Sequence, residues 1–270
     1  MPHLRSVALN AIPEGVGEMF PFSVPIIRHL GLLDVGGPVT FLVGENGSGK
    51  STLLEGVAAA AKLPTIGSES VDTDDTLAPQ RALARSLKLV WNRPVKKRGF
   101  FLRAEDFFGF TKSLSKLRAD LLRRAMEIDS EFANRSAWAK GLAMLPVGTS
   151  LAEMERRYGI NLDENSHGQS FLKLFQSRFV PGGLYLLDEP EAPLSPQSQL
   201  ALLAMIGDMV KQDAQFIIAT HSPILLGARD ATIYNCDRVP IERAEYEELD
   251  HVVITRDFLN GRDRYLRHLS

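Results

Sequence analysis

The chain has 270 residues, of which 44% are hydrophobic and 24% are charged, a composition typical of a globular protein. A single cysteine, Cys236, excludes a disulfide framework and suits a reducing compartment. The amino terminus lacks the apolar core of a signal peptide, and no apolar run approaches the roughly 20 residues of a membrane span. We therefore expect a cytoplasmic protein without membrane insertion.

The formal net charge of −2 is unevenly distributed along the chain. Residues 81–124 contain thirteen lysines or arginines and three acids, an excess of ten positive charges, so the remainder carries −12. Such a segment indicates an anionic partner, of which nucleic acid is the first to consider, and a solvated surface is the alternative.

The amino-terminal residues 1–38 mix short apolar stretches with prolines and glycines. This pattern, with the apolar stretches 6–9 and 24–33, predicts short edge strands and turns before the central strand. Phe20 and Phe22 are expected in the core, and stacking on a base is the alternative.

A glycine-rich loop follows the apolar run Val39–Val43 and precedes a helical pattern. It fits the phosphate-binding pattern G-x-x-x-x-G-K-[ST], here Gly44, Glu45, Asn46, Gly47, Ser48, Gly49, Lys50, Ser51 and Thr52. Glycines let backbone N–H groups turn towards a polyphosphate, and the helix start adds its positive dipole end. Lys50 would reach the β- and γ-phosphates, Ser51 would bind Mg²⁺, and Thr52 would contact the α-phosphate side. The loop predicts a nucleotide site, with an ordinary glycine turn as the alternative.

The middle of the chain alternates between strand and helix patterns. We expect a helix over 51–63, a polar loop over 65–79, and strands over 87–91 and 99–102. Apolar residues at steps of three or four predict an amphipathic helix or helix pair over 112–140, a break over 141–149 and a short helix over 151–158. A helix over 171–179 follows.

The last third reads as strand, helix, strand. The buried strand 184–190 ends in Asp188 and Glu189, and a second buried strand, 216–220, ends before His221. This spacing predicts a parallel sheet whose ligand crevice lies at the carboxyl ends of its strands. A closing helix is expected over 252–269.

Two carboxylates at the end of an apolar strand are costly unless they serve a cation. Asp188 is placed to hold Mg²⁺ beside the phosphate loop, and Glu189 to orient or deprotonate an attacking water. His221, facing the same crevice, would contact a γ-phosphate or its water. A strand cap, a surface acid and a structural histidine are the alternatives.

These motifs together resemble the ABC-type ATPase family. The resemblance rests on five ordered pieces: residues 44–52, the signature-like 166–170, the strand with its acids 184–189, residues 190–195, and His221. It implies ATP and Mg²⁺ as cofactors and a head-to-tail homodimer that closes on two ATP molecules. Ser166 and Gly168 of one copy, with Gln169 in the same motif, would then contact the nucleotide held by the other.

The sequence departs from the family pattern at three positions: Asn165 in place of a leucine, His167 in place of a glycine, and Ser195 where an aspartate is common. For the family's magnesium-sensing glutamine, Glu105 is the first candidate here and Gln80 the second.

The resemblance implies an α/β P-loop NTPase fold with a mainly parallel core sheet, amino-terminal antiparallel edge strands and a compact helical subdomain. We expect one domain over 1–270, in which a helical subdomain, 105–180, is inserted into a nucleotide-binding core of 1–104 and 181–270. The phenylalanine-rich stretch 100–106 and the compact insertion look more like small soluble bacterial ATPases of the ABC class than like a transporter subunit.

Three functions are open at this stage. The leading hypothesis is a soluble Mg²⁺-dependent ATPase that grips or remodels a partner, with nucleic acid as the candidate through residues 81–124. The second is the ATP-binding subunit of a membrane transporter. The third is a non-hydrolysing ATP-gated clamp, against which Glu189 argues because a clamp does not require a water-orienting acid.

Overall fold

The fold is taken from a computed structural model, which describes residues 2–66, 78–92, 98–158 and 167–267. The strands are β1 (Leu4–Leu9), β2 (Leu33–Asp34), β3 (Val39–Val43), β4 (Leu87–Trp91), β5 (Gly99–Arg103), β6 (Leu184–Asp188), β7 (Gln215–Ala219), β8 (Thr232–Asn235) and β9 (Glu242–Arg243). The helices are α1 (Pro25–Arg28), α2 (Lys50–Ala61), α3 (Ala78–Ser86), α4 (Ala104–Glu131), α5 (Ala137–Tyr158), α6 (His167–Arg178), α7 (Pro196–Val210), α8 (Pro223–Leu226), α9 (Asp250–Asn260) and α10 (Arg262–Leu266).

The central sheet has the strand order β5-β6-β7-β3-β8-β9. The first five strands pair in parallel, and β9 joins β8 in the antiparallel sense. Strands β3, β6 and β7 are buried along their whole length, as expected for a parallel sheet covered on both faces. The predicted α/β class with a mainly parallel core sheet is confirmed.

Side chains on the central strands alternate between two hydrophobic cores, one on each face of the sheet. On β6, Tyr185 and Leu187 lie in the core that also contains residues of α6 and α7. Leu184 and Leu186 lie in the other core, with residues of α2 and of the amino-terminal segment. This alternation is the period of two that a pleated strand imposes.

A second, antiparallel sheet with the order β2-β1-β4 lies at the amino-terminal side, as the predicted edge strands require. The apolar stretch 24–33 contributes little to this sheet. Pro25 begins the short helix α1, because its fixed φ suits the first helical position, and only Leu33 of that range is in a strand.

Helices α4, α5 and α6 follow one another and pack in sequence, α4 on α5 and α5 on α6. The predicted break over 141–149 was wrong, because α5 runs through Pro146. The chain instead leaves the helix after Glu131 and re-enters it at Ala137. The predicted closing helix is also divided, since Gly261 separates α9 from α10.

The division into a nucleotide-binding core and a helical subdomain over 105–180 stays a prediction. The helices of that range begin one residue earlier, at Ala104, and end at Arg178. Across the described ranges, no helix combines the length and apolar character that crossing a bilayer requires.

One buried amide joins the two sheets. Gln215, the first residue of β7, is fully buried. Its Oε1 accepts the backbone N–H groups of His3 and Leu4, each at 2.8 Å, and its Nε2 donates to the backbone oxygens of Leu4 at 2.8 Å and Val35 at 2.6 Å. Because polar groups buried in this way must be paired, Gln215 fixes where β1 lies against the central sheet.

We expect the substitution Gln215→Leu to lower the free energy of unfolding by about 3 kcal/mol or more, because it leaves buried backbone groups without these partners. The measurement is urea denaturation followed by circular dichroism. Gln212→Leu is the matched control, since Gln212 is exposed and three residues away, and it should cost less than about 1 kcal/mol. Equal losses for the two variants would contradict the assignment.

Candidate functional site

The carboxyl ends of four parallel strands meet at one edge of the central sheet. In the strand register, Asp188 at the end of β6 lies beside Arg103 of β5 and Ala219 of β7, and Ala219 lies beside Leu42 of β3. The glycine-rich loop therefore leaves β3 at the edge where β6 presents its acids. The predicted ligand crevice at this edge stays a prediction, and the strand register brings the predicted residues to it.

The loop has a backbone conformation that only glycine adopts readily. Gly44, Gly47 and Gly49 have φ angles of 155°, 86° and 99°. A Cβ atom on Gly49 would lie 2.5 Å from Cγ1 of Val24, so close packing also requires glycine there. Glu45, Asn46 and Gly47 form the exposed tip of the loop.

Lys50 lies under the loop and is only 4% exposed. Its Nζ donates to the backbone oxygen of Gly44 at 2.7 Å and of Glu45 at 2.9 Å, and it lies 3.4 Å from Oγ of Ser48. A buried ammonium is costly unless it is paired, and here the loop's own oxygens supply the partners. The loop thus holds a positive charge at the start of α2, whose end also carries a positive partial charge.

Ser51 and Asp188 come together from opposite parts of the chain. The Ser51 hydroxyl donates to Oδ1 of Asp188 over 3.1 Å. Burial raises the pKa of Asp188 to about 7, partly offset by this hydrogen bond, and the nearby carboxylates of Glu189 and Glu55 raise it further. A cation beside this carboxyl would stabilise its ionised form.

The pair fits Mg²⁺, which prefers oxygen ligands. Within the described ranges, no group of three or more metal-ligating histidine, cysteine or acidic side chains occurs. Mg²⁺ sites beside phosphates need no such cage, because they use one or two protein oxygens with the phosphates and water.

Glu189 and His221 lie side by side after β6 and β7. Nε2 of His221 is 3.4 Å from Oε1 of Glu189. Glu189 has the positive φ of 47°, which is uncommon for a residue with a side chain, and its N–H donates to the oxygen of Ala219. Burial, and then the charge of Lys50, lower the pKa of His221, while Glu189 opposes that shift. A carboxylate and an imidazole thus face the same edge as the loop.

The structure adds three residues that the sequence reasoning missed. Glu191 accepts the N–H of His221 and the hydroxyl of Thr220, both at 2.7 Å. Asp237 accepts the N–H of Glu45 at 2.8 Å and so holds the loop from the end of β8. His251 contacts His221 from α9. Only Glu191 had a sequence signal, its place two residues after the acidic pair.

The remaining predicted site residues belong to the signature-like motif and to the two candidates for sensing Mg²⁺. Ser166 lies outside the described residues. The backbone of Gly168 lies in the first turn of α6, and Gln169 is exposed beside it. Glu105 lies in the first turn of α4, directly after the end of β5 and next to the Asp188 strand. Gln80 is buried on α3 and donates to Glu55 at 2.8 Å.

The aromatic residues before α1 differ in their environment. Phe22 is buried, as expected, but Phe20 is 53% exposed. Phe20 precedes Val24, the residue that packs against Gly49, so the exposed ring lies in the segment next to the loop. The core role predicted for Phe20 was wrong.

The basic residues of segment 81–124 are spread over α3, β4, β5 and α4. Arg103 is buried and lies 3.5 Å from the Glu55 carboxylate. Arg123 and Arg124 pair with acids on their own helix. Part of the excess charge is therefore neutralised locally. Arg93, Lys96 and Lys97 lie outside the described residues.

Comparisons with known proteins give distant relatives. YvrO, an uncharacterised ABC transporter ATP-binding protein of Bacillus subtilis strain 168, is 22% identical over 212 residues, which cover 78% of this chain and 85% of YvrO. CcmA, a cytochrome c biogenesis ATP-binding export protein of Rhodopseudomonas palustris strain BisB5, is 26% identical over 208 residues, which cover 77% and 90%. No protein-family model matches the chain.

A third relative is longer than this chain. The macrolide export ATP-binding/permease protein MacB of Marinobacter nauticus is 23% identical over 210 residues, which cover 77% of this chain and 30% of MacB. Among solved structures, cbiO1 from Clostridium perfringens, part of the ABC transporter complex cbiONQ, matches with a TM-score of 0.48 and 17% identity over 99% of this chain and all of that one.

The raised pKa of Asp188 predicts a pH-dependent stability without nucleotide or Mg²⁺. The unfolded chain releases the Asp188 proton near pH 4 and the folded chain near pH 7. Between these values the folded state holds the extra proton, so its stability falls as pH rises, by up to about 1.4 kcal/mol per pH unit. Asp188→Asn removes this loss.

The measurement is urea denaturation in EDTA at several pH values from 4 to 8. We expect Asp188→Asn to match the wild type within about 1 kcal/mol at pH 4 and to exceed it at pH 8. Parallel curves for the two proteins across this range would contradict the assignment.

Proposed function

We propose that the chain is an ABC-type ATPase and that it hydrolyses ATP at the edge where β3, β6 and β7 end. One observation carries the proposal. The Ser51 hydroxyl lies 3.1 Å from Asp188, which brings the phosphate loop and the acidic strand together, with Glu189 and His221 next to them.

The phosphate loop would bind the triphosphate. Backbone N–H groups of residues 44–52 and the start of α2 offer donors to the phosphates, and Lys50 would exchange its loop oxygens for the β- and γ-phosphates. The exposed ring of Phe20 is a candidate for stacking on the base. Ser51 and Asp188 would hold Mg²⁺, with Glu105 as a further candidate, and the ion would neutralise phosphate charge.

Glu189 and His221 would act on the attacking water and the γ-phosphate. Glu189 is 41% exposed at its side chain, so a water can reach its carboxylate and give up a proton to it. His221 would donate its Nε2 proton to a γ-phosphate oxygen, which stabilises the charge of the transition state. The 3.4 Å contact between them supports action at one phosphate.

A second copy would complete the site. We infer a head-to-tail homodimer in which Ser166, Gly168 and Gln169 of one copy reach the nucleotide held by the other. The start of the twelve-residue helix α6 lies at this motif, and a helix start can bind phosphate. His167, which replaces a glycine in this motif, would change the distance between the start of α6 and the nucleotide held by the other copy.

The relatives indicate which partner the ATP hydrolysis cycle would drive. YvrO, CcmA and MacB are named as transporter or export ATP-binding proteins, so we place the ATP-binding subunit of a membrane transporter first. Exposed apolar side chains on α4 and α5, with Met126 at 71% and Trp138 at 78%, suit a protein partner. The others are Leu117, Leu142 and Leu145.

A free-standing ATPase that grips nucleic acid is the second candidate. It rests on the exposed cations of segment 81–124, including Arg85, Lys88, Lys112 and Lys116. This role predicts that DNA or RNA raises ATP turnover and that the effect falls steeply with salt. The third candidate, a clamp that binds ATP without hydrolysis, would give Glu189 no catalytic role.

The test is ATP turnover by the purified protein with Mg²⁺. We expect Lys50→Ala to lower turnover at least a hundredfold and Glu189→Gln to abolish it while keeping ATP binding. With ATP, light scattering should show Glu189→Gln as a dimer, because the closed state is not released. Gln212→Leu is the control that should leave turnover unchanged.

The same assay distinguishes the partners. Stimulation by a co-purifying membrane protein in vesicles would support the transporter role, and salt-sensitive stimulation by DNA or RNA would support the second candidate. No turnover by the wild type, or a Glu189→Gln protein that stays monomeric in saturating ATP, would contradict the proposed function.

A further inference from the structure

A second histidine reaches the site from the carboxyl-terminal part of the chain. His251 is the second residue of α9, and its Nε2 lies 3.1 Å from Nδ1 of His221. The two rings have centroids 5.2 Å apart and planes inclined by 46°. The function proposed above gives His251 no role.

A contact of this length between two ring nitrogens requires one to donate and the other to accept. The other nitrogen of His221, Nε2, faces Oε1 of Glu189 at 3.4 Å. A carboxylate accepts hydrogen bonds, so it favours the tautomer with the proton on Nε2. Nδ1 of His221 is then the acceptor, and Nε2–H of His251 is the donor.

Within the described part of the chain, the contact with His251 is the hydrogen bond that orients the His221 ring. Glu191 holds the backbone of His221 by accepting its N–H at 2.7 Å, and its charge acts on the ring from there. Lys50, Glu189, Glu191 and His251 are the charged or titratable groups that act on the imidazole. Among the described residues, Nε2 of His221 is buried and makes no hydrogen bond, so it can serve a phosphate oxygen.

The position of His251 does not depend on its own hydrogen bond. Leu249 and Val252, on either side of it, are buried in the core that contains α7 and α8 residues. The Tyr246 hydroxyl donates to the oxygen of Pro223 at 3.0 Å and ties the same segment to the start of α8. The start of α9 is therefore held by packing, and His251 presents a fixed donor.

We propose that His251 is a positioning residue, which holds His221 in the tautomer that directs an N–H at the γ-phosphate. The proposal rests on the function proposed above. A group that points its neighbour's proton towards the phosphate lowers the barrier without touching ATP. Loss of His251 should thus affect the turnover rate and leave ATP binding nearly unchanged.

Two variants separate hydrogen bonding from packing. His251→Phe keeps a ring and removes the donor, and His251→Gln keeps an amide N–H of similar reach. We expect His251→Phe to lower kcat about tenfold, with KM changed less than twofold, and His251→Gln to recover most of that loss. Ile254→Ala, an exposed site on α9, is the control and should match the wild type.

A second readout does not require hydrolysis. Nitrogen-15 NMR of the His221 ring, without nucleotide, should show the proton on Nε2 in the wild type and in His251→Gln, and a mixture of tautomers in His251→Phe. Thermal unfolding of each variant checks that the fold is retained.

The outcomes distinguish the two ideas. A wild type without ATP turnover removes the proposed function, and the NMR result then decides the hydrogen bond alone. Turnover and a ring tautomer that are unchanged in His251→Phe overturn the positioning role and leave the ATPase in place. Equal losses in His251→Phe and His251→Gln, with the tautomer unchanged, also overturn it.

Discussion

The hydrogen bond between Ser51 and Asp188 joins residues 137 positions apart, and the site depends on it. Ser51 lies in the first turn of α2, after β3, and Asp188 ends β6, with β7 between these two strands. The parallel register places the carboxyl ends of all three strands at one edge of the sheet. The Ser51 hydroxyl can therefore lie 3.1 Å from Oδ1 of Asp188. Gln215, at the opposite end of β7, supports the same register by tying the amino-terminal sheet to it.

Lys50 and Asp188, the buried cation and the buried acid at this edge, together favour binding of an anion and a cation at the same time. The hydrogen bonds described for the buried Lys50 go to neutral oxygens, while burial raises the pKa of Asp188 to about 7. A triphosphate would give Lys50 charged acceptors, and a divalent cation would favour the ionised form of Asp188. The cost of burying each group is thus offset when both ligands bind. This coupling gives a physical reason for joint binding of ATP and Mg²⁺.

The sequence predicted those parts of the structure that are specified locally. The glycine loop and the strand that carries Asp188 each hold their pattern within about nine residues, so both were recognised, although the strand ends at Asp188, two residues earlier than predicted. The continuity of α5 through Pro146 was missed, because packing against α4 and α6 outweighs the local preference of one proline. His251 was missed because its contact with His221 joins residues 30 apart, on separate elements, with no motif.

The most direct test of the account is the Mg²⁺ dependence of ATP binding, measured by titration calorimetry on the wild type and on Ser51→Ala. In EDTA, the two proteins should bind ATP with affinities within about threefold, because Lys50 and the loop backbone are retained. Addition of Mg²⁺ should strengthen binding by the wild type and change that of Ser51→Ala little. An equal gain from Mg²⁺ in both proteins would contradict the role assigned to the Ser51–Asp188 pair.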